Sequence, residues 1–338
     1  MQLWKRVRLA WQVLFHGEPV SRGEHEIPPI TPEEVEEVRR FFRRPKFFIF
    51  GHARSGTTLL ARLIRLHPEV HCNWQAHFFT RPPFLKSLVD APEIQEWLTR
   101  RSNRWNQGRN LSPLVLRAAA DMILEREAER LGKRIVGDKS PSSLIHGQAV
   151  RDLYAVYPDA FLIYIVRDGR DVAISERFRN FVEDSKYLTP EDRQILDALR
   201  QDPQPFARGE RSIFTEAFLQ RLAKSWMENV RETTAEGERL FGERFLTLRY
   251  EDLLAAPFQE ISRLWRALGV EVQPELEQAV QQEMASNPDE EWQSQRKAEI
   301  ASFLPKGQSG NWRRLFTERD RAVFESIAGE MLHQWGYS

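Results

Sequence analysis

The chain has 338 residues, of which 41% are hydrophobic and 29% are charged, a composition typical of a folded protein with ample material for a core. Lysine plus arginine and aspartate plus glutamate both total 49, so the formal net charge is zero and bulk electrostatic binding of nucleic acid is not expected. The single cysteine, Cys72, excludes a disulfide framework. The longest apolar run, residues 160–166, is far shorter than the ~20 residues of a membrane-spanning helix, so no transmembrane anchor is expected.

The first sixteen residues predict an amphipathic helix, because apolar and aromatic residues recur at helical spacing beside several basic ones. Two interpretations stay open. The helix packs on its own domain or on a partner, or it lies on an anionic membrane surface. The first is favoured, because a core-facing stripe is what a helix of a globular protein shows. The apolar positions are Leu3, Trp4, Val7, Trp11, Leu14 and Phe15.

The next elements predict a strand, a glycine-containing loop and a helix. A short helix is expected after Thr31, where a capping threonine precedes Pro32 and Glu34. The apolar run of residues 47–50 predicts a buried strand, and the spacing of residues 59–64 predicts the helix that follows the loop. Further strands are predicted at residues 134–136, 161–166 and 245–250, with helices between them. This alternation implies an α/β fold with a parallel sheet covered on both sides.

The loop from Gly51 to Thr58, which reads GHARSGTT, has the two-glycine spacing of a phosphate-binding P-loop. Its backbone N–H groups and the following helix N-terminus can surround an anion. In a nucleotide triphosphatase a lysine follows the second glycine, but here that residue is Thr57 and the cation, Arg54, lies inside the loop. Phosphate binding is therefore predicted and ATP chemistry is disfavoured, although a P-loop kinase-like phosphotransferase that uses ATP stays open as the alternative.

A second anion site is predicted after residues 161–166. Arg167 stands at the carboxyl end of this strand, where open α/β sheets bind ligands, and Ser175 lies in the helix that follows. A guanidinium and a hydroxyl can converge there on one phosphate. The alternative is that Arg167 forms an ordinary ion pair with Asp168 or Asp171 while Ser175 faces water.

These two motifs carry a family resemblance. Residues 48–60 resemble the 5′-phosphosulfate-binding loop of the sulfotransferases that use 3′-phosphoadenosine-5′-phosphosulfate (PAPS). Arg54 stands where the cytosolic members have a lysine, as in tyrosylprotein-type and many bacterial members. Residues 165–175 resemble the 3′-phosphate-binding motif of the same family, and Arg167 and Ser175 match its arginine and serine.

The resemblance covers about residues 45–338 and implies one P-loop-type α/β domain with a parallel sheet of about five strands, preceded by an N-terminal helical extension of residues 1–44. It also implies the parts of a PAPS site. Lys139 matches a lysine that supports the transferring group, and Tyr250 matches a tyrosine near the adenine, with a core tyrosine as the alternative. Lys306 and Gly307 match a C-terminal loop that closes over the 3′-phosphate. The leaving phosphate would be held by Arg54, Ser55, Gly56, Thr57 and Thr58.

The general base does not follow from the resemblance. Pro141 stands where cytosolic members carry a histidine, and residues 71–77 lack the glutamate that other branches use. His77 is the candidate base, Asp138 is less well placed, and a hydrogen-bonded structural role for His77 is the alternative. The histidines and the cysteine of residues 67–77 match no usual zinc spacing. No metal is expected, since guanidinium and ammonium groups neutralise the charge.

The expected activity is transfer of a sulfuryl group from PAPS to an acceptor hydroxyl or amine, with release of 3′-phosphoadenosine-5′-phosphate (PAP). The acceptor class stays open among a carbohydrate, a lipid, a peptide and a small alcohol. A cytoplasmic location is expected, with residues 1–16 as the segment for any membrane contact. A non-catalytic, membrane-associated binding module is a further alternative.

Overall fold

The computed structural model describes residues 27–81, 85–102, 104–143, 147–182, 188–286 and 308–337. The predictions made for residues 1–16 and for Lys306 and Gly307 lie outside the described residues.

Five parallel strands form one sheet in the order β2-β3-β1-β4-β5, which confirms the expected α/β fold class. Alternate side chains of the central strand β1 enter two cores: Phe48 and Phe50 pack on one face of the sheet, and Phe47 and Ile49 on the other. Both faces are therefore covered, as a parallel sheet requires. The strands are β1 (Lys46–Phe50), β2 (Val70–Trp74), β3 (Ile135–Lys139), β4 (Phe161–Val166) and β5 (Phe245–Arg249).

Helices connect the strands and continue beyond the last of them. They are α1 (Pro32–Arg39), α2 (Thr57–Ile64), α3 (Pro92–Thr99), α4 (Ser112–Arg130), α5 (Gly147–Val156), α6 (Gly169–Val182), α7 (Pro190–Gln201), α8 (Gln204–Ala207), α9 (Glu216–Phe241), α10 (Tyr250–Ala255), α11 (Pro257–Ala267), α12 (Leu276–Ala285), α13 (Trp312–Leu315) and α14 (Glu318–Gln334). Short 3-10 turns lie at Lys86–Leu88 and Gly242–Arg244. Within the described ranges, none of these helices is both long and apolar enough to cross a bilayer.

Helix α1 confirms the helix predicted after Thr31. The Thr31 side chain accepts a hydrogen bond from the Glu34 amide, and the Glu34 carboxylate accepts one from the Thr31 amide. Val35 and Val38 are buried, so the described part of the N-terminal extension packs on the rest of the protein. The boundary between residues 44 and 45 stays a prediction.

Two strands, β3 and β2, differ from the sequence-based prediction in their bounds or in their presence. The strand predicted at 134–136 continues to Lys139, so this lysine ends β3 instead of following it. Residues 70–74, for which the sequence predicted no strand, form β2. Among the described residues β2 is an edge strand that pairs with β3, so its carboxyl end tolerates Asn73 and exposed Trp74, and no apolar run in the sequence reveals it.

Candidate functional site

The predicted site residues meet at one edge of the sheet. Strand β1 lies between β3 and β4, so the segments that leave the carboxyl ends of these three strands are neighbours. The first of these segments carries Arg54, β3 ends at Lys139, and Arg167 directly follows β4. Three cationic side chains from distant parts of the sequence are thereby brought to a shared edge.

The loop after β1 has the geometry of an anion cradle. Gly56, the N-cap of α2, has a φ of 89° and supplies no side-chain cap, so the first amides of the helix are left as donors. Arg54 also has a left-handed backbone, with a φ of 72°, which is uncommon for a residue other than glycine. The Ser55 hydroxyl is buried and, among the described residues, has no hydrogen-bond partner. A buried, unsatisfied hydroxyl beside unpaired amides fits a bound phosphate or sulfate.

Arg54, Ser175 and Arg167 join the two predicted anion sites. Arg54 donates from Nε to the Ser175 hydroxyl at 3.0 Å, and Arg167 donates from Nη1 to the Arg54 carbonyl at 3.1 Å. Arg167 also lies 4.0 Å from the Asp171 carboxylate, so the ion pair considered from the sequence is present at the outer limit of contact. The structure thus places the two motifs in direct contact.

Tyr250 is buried between the first loop and Arg167. The Arg167 guanidinium lies over the tyrosine ring, 4.7 Å from its centre. A Cβ at Gly56 would lie 2.2 Å from Cδ2 of Tyr250, so the loop can approach this ring only because residue 56 is glycine. Burial raises the pKa of Tyr250, which keeps the phenol neutral. Contact of this ring with an adenine stays a prediction.

The segment that follows Lys306 and Gly307 in the chain contacts the second anion site. Arg167 donates from Nη2 to the Gln308 carbonyl at 3.1 Å. The Asp171 carboxylate accepts hydrogen bonds from the amides of Gly310, at 2.6 Å, and Trp312, at 3.1 Å. Sequence reasoning treated Asp171 only as an ion-pair partner for Arg167. Its position four residues after Arg167 was the available signal, but its two amide partners lie about 140 residues away in sequence.

Lys139 is fully buried at the end of β3. Its ammonium lies 3.5 Å from the Thr58 hydroxyl at the start of α2 and 4.3 Å from the centre of the Trp74 ring. Burial lowers the pKa of Lys139. The lysine is therefore next to the helix end that would hold the leaving group, and Trp74, which sequence reasoning did not single out, packs on it.

His77 and Asp138, the two base candidates, are both buried. Nδ1 of His77 lies 2.8 Å from the Thr80 hydroxyl, while Nε2 is enclosed with no hydrogen-bond partner among the described residues. Burial, helped by Arg81 and Lys139, lowers the pKa of His77 to about 4, so the imidazole is neutral at neutral pH. The role of His77 as base stays a prediction.

Both carboxylate oxygens of Asp138 accept hydrogen bonds from other groups of the protein. One oxygen accepts from the Ala76 amide at 3.0 Å, and the other accepts from the Ser140 hydroxyl. Burial raises the pKa of Asp138. Within the part of the chain that the structure describes, no group of three or more His, Cys, Asp or Glu side chains is arranged to hold a metal ion.

Comparison with known proteins finds sulfotransferases. A profile described as the Sulfotransferase family matches residues 45–275. Protein-tyrosine sulfotransferase A of Caenorhabditis elegans is 27% identical over 160 residues, which are 46% of this chain and 39% of that protein. An uncharacterized protein of Aquifex aeolicus is 28% identical over 162 residues, which are 46% of this chain and 20% of that protein. The chain thus matches less than half the length of these relatives.

Solved structures with a similar course of the chain include a mouse sulfotransferase complexed with PAP. It is 16% identical, covers 90% of both chains and has a TM-score of 0.47. The sulfotransferase domain from the curacin biosynthetic pathway is also 16% identical and covers 87% of this chain and 98% of that domain, with a TM-score of 0.48.

Proposed function

The chain belongs to the Sulfotransferase family, and on this premise we propose that it transfers a sulfuryl group from PAPS to an acceptor hydroxyl or amine and releases PAP. The observation that carries the proposal is the contact of Arg54 with both Ser175 and Arg167. This contact joins a loop suited to a 5′-phosphosulfate to a guanidinium and hydroxyl suited to a second phosphate. PAPS carries both groups on one adenosine.

The first loop would bind the 5′-phosphosulfate and stabilise the leaving group. Sulfuryl transfer resembles phosphoryl transfer, in which a loose in-line displacement builds negative charge on the bridging oxygen of the leaving phosphate. The amides of residues 56–58, with the hydroxyls of Thr57 and Thr58, would direct donors toward this charge, whereas the Ser55 amide donates to the His52 carbonyl at 3.1 Å. Arg54 would neutralise the charge on the leaving phosphate, and Lys139 would support the transferring group. Proton transfer from the acceptor would fall to His77, whose imidazole is neutral at neutral pH.

Arg167 and Ser175 would bind the 3′-phosphate. A guanidinium offers paired donors to a phosphate, and the Ser175 hydroxyl adds one more. Tyr250, packed beneath Arg167, would lie next to the adenine. Lys306 and Gly307 would complete this end, and the contact of the adjacent Gln308 with Arg167 supports that assignment.

Phosphotransfer from ATP is the weaker candidate. The P-loop lysine that reaches the β- and γ-phosphates is replaced by Thr57, and the family profile is that of sulfotransferases. An ATP enzyme would also leave the arrangement of Arg167 and Ser175 without a ligand.

The acceptor is proposed only as a class. The protein-tyrosine sulfotransferases among the relatives support a hydroxyl on a peptide, and a carbohydrate, a lipid or a small alcohol stays in the panel to be assayed. A cytoplasmic location, contact of residues 1–16 with an anionic membrane and a reaction without metal are likewise proposals.

Thermal shift with PAP, ATP and adenosine 5′-phosphate tests the nucleotide site. We expect PAP at a concentration 100 times its Kd to stabilise the chain by about 2.7 kcal/mol, with a much smaller response to the other two nucleotides. Labelled PAPS with a panel of peptide, carbohydrate, lipid and alcohol acceptors then tests transfer. A stronger response to ATP than to PAP would refute the proposed function.

A further inference from the structure

Three consecutive amides that follow β2 donate to three consecutive residues around the end of β3. The Gln75 amide donates to the Lys139 carbonyl at 2.9 Å, and the Ala76 amide donates to the Asp138 carboxylate at 3.0 Å. The His77 amide donates to the Ser140 hydroxyl at 2.8 Å. The first bond is ordinary backbone pairing, but the other two use buried side chains.

The turn held by these bonds has an unfavourable backbone. Gln75 has a φ of 58° and His77 a φ of 52°, both in the left-handed region that residues other than glycine seldom adopt. Such conformations persist where several surrounding interactions hold the backbone in place, and they concentrate at functional sites. Here the surroundings are the side chains of Asp138 and Ser140.

The hydrogen bonds of Asp138 and Ser140 have defined donors and acceptors. The Ser140 hydroxyl donates its hydrogen to Asp138, which leaves an oxygen lone pair to accept from the His77 amide. Asp138 must offer two acceptor oxygens, one for this hydroxyl and one for the Ala76 amide. An amide side chain in place of the carboxylate would turn one of these acceptors into a donor.

Trp74 is the last residue of β2, where it is paired with Lys139 of β3, and the turn of residues 75–77 continues from it. Trp74 immediately precedes Gln75, and its ring packs 4.3 Å from the Lys139 ammonium while 47% of the residue stays exposed. The indole therefore covers the buried lysine on one side and presents the rest of its surface to solvent at the same edge of the sheet. The turn extends the pairing of β2 with β3 past the end of the strand, so loss of its hydrogen bonds would loosen the strand end that carries this ring.

We propose that Asp138 and Ser140 are positioning residues for sulfuryl transfer: they hold the turn of residues 75–77 so that Trp74 fixes the Lys139 ammonium beside Thr58. This inference rests on the proposed function, because Lys139 matters there as the cation next to the transferring group. Asp138 is thereby assigned to holding the turn and not to proton transfer.

The test compares Ser140→Ala with Ser142→Ala, a buried serine of the same segment that none of the three amides uses. Hydrogen exchange at the amides of Ala76 and His77 measures how well the turn is held. Steady-state cleavage of labelled PAPS, with water as the acceptor, measures the contribution of Lys139 to kcat. We expect Ser140→Ala to speed exchange at His77 at least 10-fold and to lower kcat about 10-fold. The Kd for PAP should stay within twofold, because the nucleotide-binding residues are not touched.

The conservative variant Ser140→Thr keeps the hydroxyl, and it should restore both exchange protection and kcat. If Ser140→Ala does not fold, Asp138→Asn carries the same test with nearly unchanged side-chain volume. Unchanged exchange and unchanged kcat in these variants overturn the inference and leave the proposed function standing. Failure of the unmodified chain to bind PAP overturns the proposed function itself.

Discussion

The Arg54 guanidinium donates to the Ser175 hydroxyl at 3.0 Å, so the cation of the first anion loop contacts the serine of the second anion site. The two residues are 121 positions apart in sequence. They meet because β1 and β4 are adjacent in the sheet and the segments after both strands leave from the same edge. Any anion bound by one residue therefore lies within the electrostatic reach of the other.

Ser175→Ala should weaken PAP binding by roughly 10- to 150-fold with little effect on stability. The substitution removes one hydrogen bond to a charged phosphate, which contributes about 1.5–3 kcal/mol, and Ser175 is only partly buried. Isothermal titration with PAP measures the affinity, and thermal unfolding controls for folding. An unchanged Kd would remove Ser175 from the 3′-phosphate site.

Arg54→Ala should lower turnover more than it weakens binding. If Arg54 stabilises charge on the leaving phosphate in the way that one oxyanion donor does, kcat should fall by about 10²-fold. Steady-state cleavage of labelled PAPS at saturating concentration measures this loss. Turnover equal to that of the unmodified chain would contradict the role assigned to Arg54.

Arg167→Ala should reduce discrimination between PAP and adenosine 5′-phosphate. Its guanidinium is assigned to the 3′-phosphate, which only PAP carries, so the affinity for PAP should fall about 10- to 100-fold. Binding of adenosine 5′-phosphate should change much less. Parallel titrations with the two nucleotides measure the ratio, and an equal loss for both would show that Arg167 acts only by supporting the loops that it contacts.

Gly56→Ala should destabilise the protein and abolish PAP binding. Its φ of 89° costs a residue with a Cβ about 1–2 kcal/mol, and the new carbon would clash with Tyr250 at 2.2 Å. The double variant Gly56→Ala with Tyr250→Ala removes the clash but not the backbone cost, so it should be less destabilised than the sum of the two single variants. Urea unfolding of all four proteins checks this expectation, and strict additivity would argue against the contact.

Stability should fall as the pH drops from about 6.5 toward 4, in part because of His77. The folded chain keeps this imidazole neutral down to a pKa of about 4, whereas an unfolded histidine takes up a proton near 6.5. The unfolded chain therefore binds more protons in this window, and the free energy of unfolding decreases.

His77→Asn should reduce this pH dependence, because asparagine does not titrate there and tolerates the left-handed backbone. Urea unfolding at pH 7 and pH 5 measures the difference for both proteins. An identical decrease in the two proteins would show that His77 is not the titrating group.

The sequence alone determined the parts of this protein whose physical cause is local. The apolar run before Gly51 and the apolar spacing after Thr58 specify a strand, a loop and a helix, because burial periodicity depends on neighbouring residues. Thr31 likewise marks the start of α1 through a capping box that spans only four residues. The loop residues themselves indicated anion binding, because a two-glycine loop between a strand and a helix lets backbone amides and the helix N-terminus surround an anion.

Only the tertiary structure decided which side chains are in direct contact. The contacts of Arg54 with Ser175, of Asp171 with the Gly310 amide and of Lys139 with Trp74 join residues between 65 and 139 positions apart. The order of the strands creates the first and the third contact, and the return of the C-terminal segment to α6 creates the second. Both depend on packing of the whole domain, so no single segment of the sequence specifies them. The turn of Gln75 and His77 is the clearest case. Its left-handed backbone opposes local preference and exists because Asp138 and Ser140, on another strand and just beyond it, hold its amides.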